Sequence, residues 1–426
     1  MSRVTAAEQR PVLRWRPSGA GVLAIGVVAA AIGLRWLMFP AESDDYRYFL
    51  HPWYEFIAGH GGFQALKDTG FADYNVPYLY VLAALSHLPV QDLAGIKTVS
   101  TMFDLLAAYL TFLIVDLRRP GHSWRPYAAG AVVLFLPTVT ANSGWWGQAD
   151  SVYATFALAG VHAVLRRRPW WACTLLGIAL AFKLQAVFVF PFLLVMLLTR
   201  RVPWRALLAV PAVYLLLDVP ALLVGADPGR LLTVYARQTG TYPALSMNAP
   251  SVYEFFQVGD YTDAVRTAGV LVTGLVVLAL VTLVVVRRPG RGPLPGPGGR
   301  GRELTDTQIV LLATCSVVLV PFLLPSMHDR YFYLADVLSV IAAFHVPARL
   351  WYLPVLVQVS SFGSYLHYLA PEVGNYLTMG FLAALMALAL GCVLRATALE
   401  FQDGPPVPAA VPAPAGGSAQ LVREGP

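Results

Sequence analysis

Four polar strings interrupt an otherwise apolar chain, and their residue types are those that move a proton or hold a phosphate. The first runs Glu42-Ser43-Asp44-Asp45-Tyr46-Arg47-Tyr48-Phe49, followed by Trp53 and then by Asp73-Tyr74-Asn75-Val76-Pro77-Tyr78. A carboxylate set among aromatic and apolar groups has its pKa raised toward the range of a general base. The same aspartates also suit the N-terminus of a short loop helix, so capping is the second reading of Asp44 and Asp45. The next string is Asn142-Ser143-Gly144-Trp145-Trp146-Gly147-Gln148-Ala149-Asp150-Ser151. Indole faces beside an amide and a carboxylate suit a sugar, although tryptophans also anchor helices at a membrane interface and Asp150-Ser151 can cap the helix that follows.

The other two strings supply cations. Lys183, in Phe182-Lys183-Leu184-Gln185, lies between two apolar runs. An ionisable group near membrane depth is costly and requires a partner. A lipid phosphate is the anionic partner expected, and a lysine snorkelling to the interface is the alternative. In Met327-His328-Asp329-Arg330-Tyr331-Phe332-Tyr333, Arg330 is suited to charge-assisted hydrogen bonds to a phosphate. Pairing of Asp329 with Arg330 or His328 competes with that, but adjacent residues seldom face each other on a helix. A longer polar stretch, 225–262, carries Arg230, Arg237 and the string Thr241 to Ser251 with Asn248, and reads either as an acceptor-facing lid or as a plain connection.

The elements that must position these strings are apolar runs. Of 426 residues 57% are hydrophobic and 13% charged, with a mean hydropathy of +0.60, whereas soluble domains carry about 25% charged residues. Spans are expected at 19–39, 96–116, 126–141, 151–165, 170–183, 186–199, 206–224, 264–286, 306–325, 332–346, 350–367 and 376–395. The fold expected is therefore an all-α polytopic transmembrane bundle of about twelve crossings. Threading from an inside N-terminus places Arg118/Arg119/Arg125, Arg166/Arg167/Arg168, Arg200/Arg201/Arg205, Arg287/Arg288/Arg291 and Arg349/Arg395 on the cytoplasmic side of a cell membrane, and all four strings on the other side. The run Val76 to Leu88 is too short to cross and is expected as an interfacial or re-entrant helix, with Tyr74, Tyr78 and Tyr80 at headgroup depth. Residues 1–18 read as a cytoplasmic N-terminal segment, 19–398 as the bundle, 289–302 as a cytoplasmic Pro/Gly/Arg-rich linker, and 399–426 as a disordered cytoplasmic tail.

Several function classes are disfavoured. The net charge of +6 sits in short patches between apolar runs rather than on one aromatic-studded face, so nucleic acid is not an expected partner. Cys173, Cys315 and Cys392 each lie inside an apolar run with no Cys-x-x-Cys spacing, and read as buried free thiols. No phosphate-binding glycine loop, no G-x-S-x-G elbow and no Asp-rich cage is present, so neither a cofactor nor a metal is expected.

In combination, from roughly Trp36 to Leu338, these strings resemble the GT-C superfamily of polyprenyl-phosphate-sugar-dependent glycosyltransferases, bacterial multispan members above all. The acidic loop followed by a Tyr-Pro type helix is similar to Ser43-Asp44-Asp45-Tyr46 and Tyr74-Asn75-Val76-Pro77-Tyr78. The Gln–Ser string is similar to Trp145 to Ser151, and the Lys–Gln pair to Lys183-Leu184-Gln185, which is spaced by one residue where the eukaryotic enzymes have none. The late His-Glu-Lys or His-Glu-Arg element is similar to His328-Asp329-Arg330, with Asp in place of Glu.

The resemblance implies an inverting hexosyltransferase, for mannose or glucose. Its general base would be Asp45, with Asp44 second. Donor phosphate would lie on Lys183, Gln185, His328 and Arg330, and sugar or acceptor on Trp146, Gln148, Asp150, Tyr74, Asn75, Tyr78 and Asn248. The partners implied are a polyprenyl-phosphate sugar, a lipid-linked, glycan or protein acceptor, and membrane lipid. A lipid-sugar flippase or transporter would instead place ionisable groups or broken helices near mid-membrane, whereas here the acidic residues are expected in loops. A non-catalytic component of envelope-polymer assembly would bind the same lipid without reacting it.

Overall fold

Hydrocarbon offers no water to unpaired backbone N–H and C=O groups, so an apolar chain satisfies them within its own helices. The computed structural model describes residues 19–118, 123–241, 244–256, 263–287 and 303–402. Residues 1–18, Arg119, the linker 289–302 and the tail beyond Gln402 lie outside the described residues.

In chain order the helices are α1 (Gly19–Met38), α2 (His51–Gly59), α3 (Val76–Leu85), α4 (Asp92–Asp116), α5 (Arg125–Phe135), α6 (Pro137–Thr140), α7 (Asp150–Leu165), α8 (Pro169–Phe182), α9 (Phe190–Leu198), α10 (Ala209–Leu223), α11 (Pro228–Thr241), α12 (Asp263–Val286), α13 (Asp306–Leu323), α14 (Tyr333–His345), α15 (Pro347–Leu350), α16 (Leu353–Leu369), α17 (Pro371–Gly374) and α18 (Met379–Gln402). The last continues past the boundary at 398 expected for the bundle. Two short strands, β1 (Ser246–Met247) and β2 (Met327–His328), pair in parallel.

The chain is all-α and polytopic, and every expected span holds a helix. Among the described residues six helices are long and apolar enough to cross a membrane by length and composition, and α3, α7, α8 and Leu184–Leu198 are shorter apolar helices. α13 sits at the centre, buried from Thr307 to Phe322, and packs against α14 and α18. α4, α5, α7, α8 and α10 form a second packed set in which α7 contacts both α4 and α8. α1, α10 and α12 expose apolar residues such as Leu23, Leu37, Leu216, Leu223, Leu271 and Leu275, the composition of a lipid-facing surface.

The helices are broken where the polar strings lie. The expected span 126–141 stops at Phe135, because Pro137 has no N–H to continue the ladder and instead opens α6. A π-helical turn, Ala141–Trp146, follows and is ended by Gly147 in the left-handed region at φ 78°. α8 ends at Lys183, which is extended at φ −149° and ψ 140°. α13 gives way at Leu324 to Ser326 at φ 60° and then to β2. Non-helical backbone in a membrane protein persists where protein groups satisfy it or where it lines a cavity.

Three expectations are corrected. α3 is not a surface-lying interfacial helix, and its burial leaves the re-entrant alternative standing: Val76 to Leu79 and Leu82 are buried, and α3 packs against α8 and α10. Its Tyr80 hydroxyl donates to Leu217 O at 2.8 Å and accepts from Ala221 N at 3.1 Å, so it occupies the place of one rung in the α10 ladder. The acidic residues are not confined to loops: Asp104, Asp218 and Asp336 are buried within α4, α10 and α14. Asp336 is satisfied by Gln358 Nε2 at 2.7 Å and Ser361 Oγ at 3.0 Å across a helix interface. The placement of acidic residues thus gives no argument against a transporter. Cys392, unlike Cys173 and Cys315, is only partly buried.

Close helix approach makes one glycine diagnostic. A Cβ on Gly177 of α8 would lie 2.9 Å from Val210 O and 3.0 Å from Val210 Cα in α10, whereas one on Gly274 of α12 meets nothing within 4 Å. Thermal unfolding in detergent should show Gly177→Ala less stable by about 1–3 kcal/mol. Gly274→Ala should be unchanged or more stable by up to ~1 kcal/mol.

Candidate active site

Four charges from four elements meet at the broken helix ends. Asp45 immediately precedes the π-helical turn Tyr46–Leu50, Asp150 is the first residue of α7, Lys183 is the extended break after α8, and Arg330 lies in the 3-10 segment Asp329–Phe332. Lys183 Nζ donates to Asp150 Oδ1 at 2.7 Å. Arg330 lies 3.2 Å from Asp45 and 3.8 Å from Asp150. The guanidinium therefore stands between the two carboxylates, and its Nε, though buried, has no hydrogen-bond partner among the described residues.

Neutral donors hold the acids in place. Asp45 accepts from Trp146 Nε1 at 3.0 Å, from Gln148 Nε2, and from the Tyr368 hydroxyl at 3.0 Å. Ser43 Oγ donates to Trp146 O at 2.7 Å and accepts from Tyr46 N at 3.1 Å, which ties the acidic loop to the tryptophan segment. The Trp146 ring stacks on Tyr368 and meets Tyr365 edge-on, and Arg330 lies 5.4 Å from its centroid. Asp150 accepts from Asn142 Nδ2 at 2.9 Å. Tyr74 donates to Gln148 Oε1 at 3.2 Å, and Lys183 Nζ lies 5.1 Å from the Tyr74 centroid.

Burial divides the cluster in two. Trp146, Gln148, Asp150 and Lys183 are at most 5% exposed, whereas the side chains of Asp45 and Arg330 are 16% and 15% exposed. Tyr74, Gln185, His328 and Tyr368 are half-buried beside them. A ligand therefore meets Asp45 and Arg330 first, and the Asp150–Lys183 pair backs them. Such a face can take a proton on a carboxylate and place cationic donors on an anion within one opening.

Near neutral pH His328 is neutral and Asp329 is only partly ionised. Burial pushes the Asp329 carboxyl from 3.8 up to about 7, against the pull of Arg330 and with the help of Asp45. Burial and the charge of Arg330 push the His328 imidazole down to about 3.

The family model for glycosyltransferase family 87 matches residues 71–305. The chain belongs to glycosyltransferase family 87. It is thus a polytopic membrane glycosyltransferase, as the resemblance to the GT-C superfamily implied. Among solved structures the chain is similar to ArnT from Cupriavidus metallidurans bound to undecaprenyl phosphate, at 13% identity over 91% of this chain and 78% of that one, with a TM-score of 0.49. No curated protein matches the chain. The matched segment of this family 87 member contains Tyr74, Trp146, Gln148, Asp150 and Lys183, while Asp45 and Arg330 lie outside it.

Most of the residues singled out in the sequence come together. Asp45 makes no capping hydrogen bond, so its side chain belongs to the cluster; at α7 the N-cap position is Ala149, and the Asp150 carboxylate is held by Asn142 and Lys183. Trp146 is fully buried and is not a membrane anchor. Lys183 neither snorkels nor lacks a protein partner, since Asp150 holds it. Asp44 is exposed beside Asp45. Asn75 and Tyr78 stand apart from the opening: both are 2% exposed, and Asn75 Nδ2 donates to Ala181 O at 3.0 Å, fixing the start of α3 to the end of α8. Contact with a sugar, as expected for them, is corrected to support of Tyr74, whose ring lies 5.3 Å from that of Tyr78. Asn248 is exposed at φ 58° and bridges through its backbone to His328.

Tyr368, Asn142 and Tyr365 were missed as members of the site. Tyr368 lies 323 positions from Asp45 in an ordinary apolar helix, and no local signal marks it.

Asp329 gives the site a pH signature. It holds its proton in the folded protein across a window in which the unfolded chain has lost it, so its own contribution to folding stability falls as pH rises from 3.8 to about 7 and is level above. His328 contributes the opposite trend between about 3 and 6.5. The gain in unfolding midpoint of Asp329→Asn over wild type should therefore grow as pH rises from 3.8 to about 7 and be level above.

Proposed function

We propose that this protein transfers a hexose, mannose or glucose, from a polyprenyl-phosphate carrier to a lipid-linked, glycan or protein acceptor at the outer face of the cell membrane, with inversion at the anomeric carbon. The observation that carries this reading is the partly exposed Asp45–Arg330 pair, 3.2 Å apart. The family supplies the reaction class and the membrane setting favours a lipid-borne donor.

Asp45 is the base. It takes the proton of an acceptor hydroxyl whose oxygen forms the new bond to the anomeric carbon, while the bond from that carbon to the phosphate oxygen breaks. The electron pair stays on the phosphate, where the partly exposed guanidinium of Arg330 faces it and Lys183 adds positive charge from behind. Trp146, Gln148 and Tyr368 hold the Asp45 carboxylate at a fixed angle, so the base is oriented before substrate arrives. Tyr74, Gln185 and His328 are half-buried and are assigned to sugar and phosphate. Both chain termini are placed in the cytoplasm, in line with the arginine-rich turns.

Transfer of labelled sugar from a panel of polyprenyl-phosphate monosaccharides tests the reading. Wild type should consume one donor, Asp45→Asn should lose about 10²–10⁴-fold in kcat while still binding donor, and Arg330→Ala should raise KM most. Full activity in Asp45→Asn moves the base elsewhere, and passage of labelled lipid across the bilayer without transfer makes the protein a flippase. Sidedness is checked separately: with Asp44→Cys as the sole cysteine, a membrane-impermeant maleimide should label intact cells.

A further inference from the structure

Behind the active site lies a buried carboxylate that the proposed chemistry does not use. Asp104 of α4 is fully buried. Its Oδ2 accepts from Arg35 Nε at 2.9 Å and from Ser143 Oγ at 2.6 Å, and its Oδ1 accepts from the Tyr333 hydroxyl at 2.9 Å. The remaining Arg35 donors are also engaged: Nη1 reaches Ala31 O at 3.1 Å in its own helix, and Nη2 reaches Leu134 O at 3.0 Å near the end of α5. One carboxylate thus joins α1, α4, the π-helical turn 141–146 and the start of α14.

Two of its partners stand at informative places. Ser143 follows Asn142, which holds Asp150, and precedes by three residues Trp146, which holds Asp45. Tyr333 follows by three residues Arg330, the guanidinium that faces both acids, on the irregular segment between α13 and α14. The carbonyl-like geometry of a carboxylate lets Oδ1 and Oδ2 bind the two segments at a separation fixed by covalent structure.

We propose that Asp104 is a positioning residue that sets the spacing of the Asp45-bearing side of the site from the Arg330-bearing side, through Ser143 and Tyr333. A buried ion pair alone is weak evidence for a stability role, since apolar replacements often serve as well. Here the partners lie in the π-helical turn that carries Trp146 and at the start of α14, next to the 3-10 segment that carries Arg330, where a regular α-helix does not fix the spacing. Misplacement of reacting groups by about 1 Å can cost roughly 10²-fold in rate, so a rigid spacer between such segments has kinetic value. The inference rests on the reading of Asp45 as base and Arg330 as phosphate ligand.

Two hydroxyl deletions test it. In full-length protein in detergent, Tyr333→Phe should raise KM for the donor roughly tenfold with kcat within about twofold, and Ser143→Ala should lower kcat roughly tenfold with KM unchanged. Ser143→Thr, which restores a hydroxyl, should recover kcat. Wild-type kcat and KM in both deletions, with only the unfolding midpoint lowered, would reduce Asp104 to a structural pair and overturn the proposal. Hydrogen exchange, which needs no substrate, separates this failure from that of the proposed function. A wild type inactive on every donor removes the function, while the positioning stands if exchange in 141–149 rises in Ser143→Ala and exchange in 327–332 rises in Tyr333→Phe. Unchanged exchange in both segments overturns it whatever the activity.

Discussion

A charge removed from water must find a partner inside the protein, and that requirement shapes the whole active end of this molecule. Asp45, Asp150, Lys183 and Arg330 are all at most 16% exposed, and each acid has a cation within 4 Å. Bringing four such groups together from four parts of the chain is incompatible with uninterrupted helices. The breaks at Pro137, Lys183 and Leu324 are where the backbone leaves its ladder to deliver them. The apolar bundle and the irregular site are thus one solution: the helices satisfy the backbone, and their interruptions satisfy the charges.

The cluster is close to neutral as it stands. Two acids, Asp45 and Asp150, face two basic groups, Lys183 and Arg330, and burial pushes the Asp329 carboxyl up to about 7. An anionic ligand therefore meets a site with no surplus positive charge and binds by exchanging partners. Arg330 is suited to that exchange, since its fork already reaches toward both acids and one of its donors is unused. Lys183, a point charge held at 2.7 Å by Asp150, is not free to move and contributes a fixed field instead.

Much of this was legible in the chain. Each apolar run expected as a span holds a helix, because the bilayer leaves an apolar segment little choice of structure. The polar strings located Asp45, Gln148, Asp150, Lys183 and Arg330, because a charge in an apolar chain is costly enough to be informative. What was not legible depended on three-dimensional packing. Tyr80 and Tyr78 read as interfacial aromatics, yet Tyr80 enters a gap in the α10 ladder and Tyr78 is buried. Asp104 and Asp336, single acids in long apolar runs, have partners such as Tyr333 and Gln358 that only the fold brings near. Tyr368 is one tyrosine among many until the end of α16 is placed against the acidic loop.

The choice of base between Asp45 and Asp150 follows from the same accounting. Asp150 is 1% exposed, bonded to Lys183 on one oxygen and Asn142 on the other, with Arg330 at 3.8 Å. Protonating it would strand the buried Lys183, at a cost of about 3–5 kcal/mol for a broken buried pair. Asp45 has its single ionic partner in Arg330, and the rest of its bonds come from neutral donors. If a donor phosphate draws Arg330 away, Asp45 loses its salt-bridge partner while Trp146, Gln148 and Tyr368 keep it oriented. Binding of the anion and activation of the base are then a single event, and proton transfer is favoured only once the leaving group is in place.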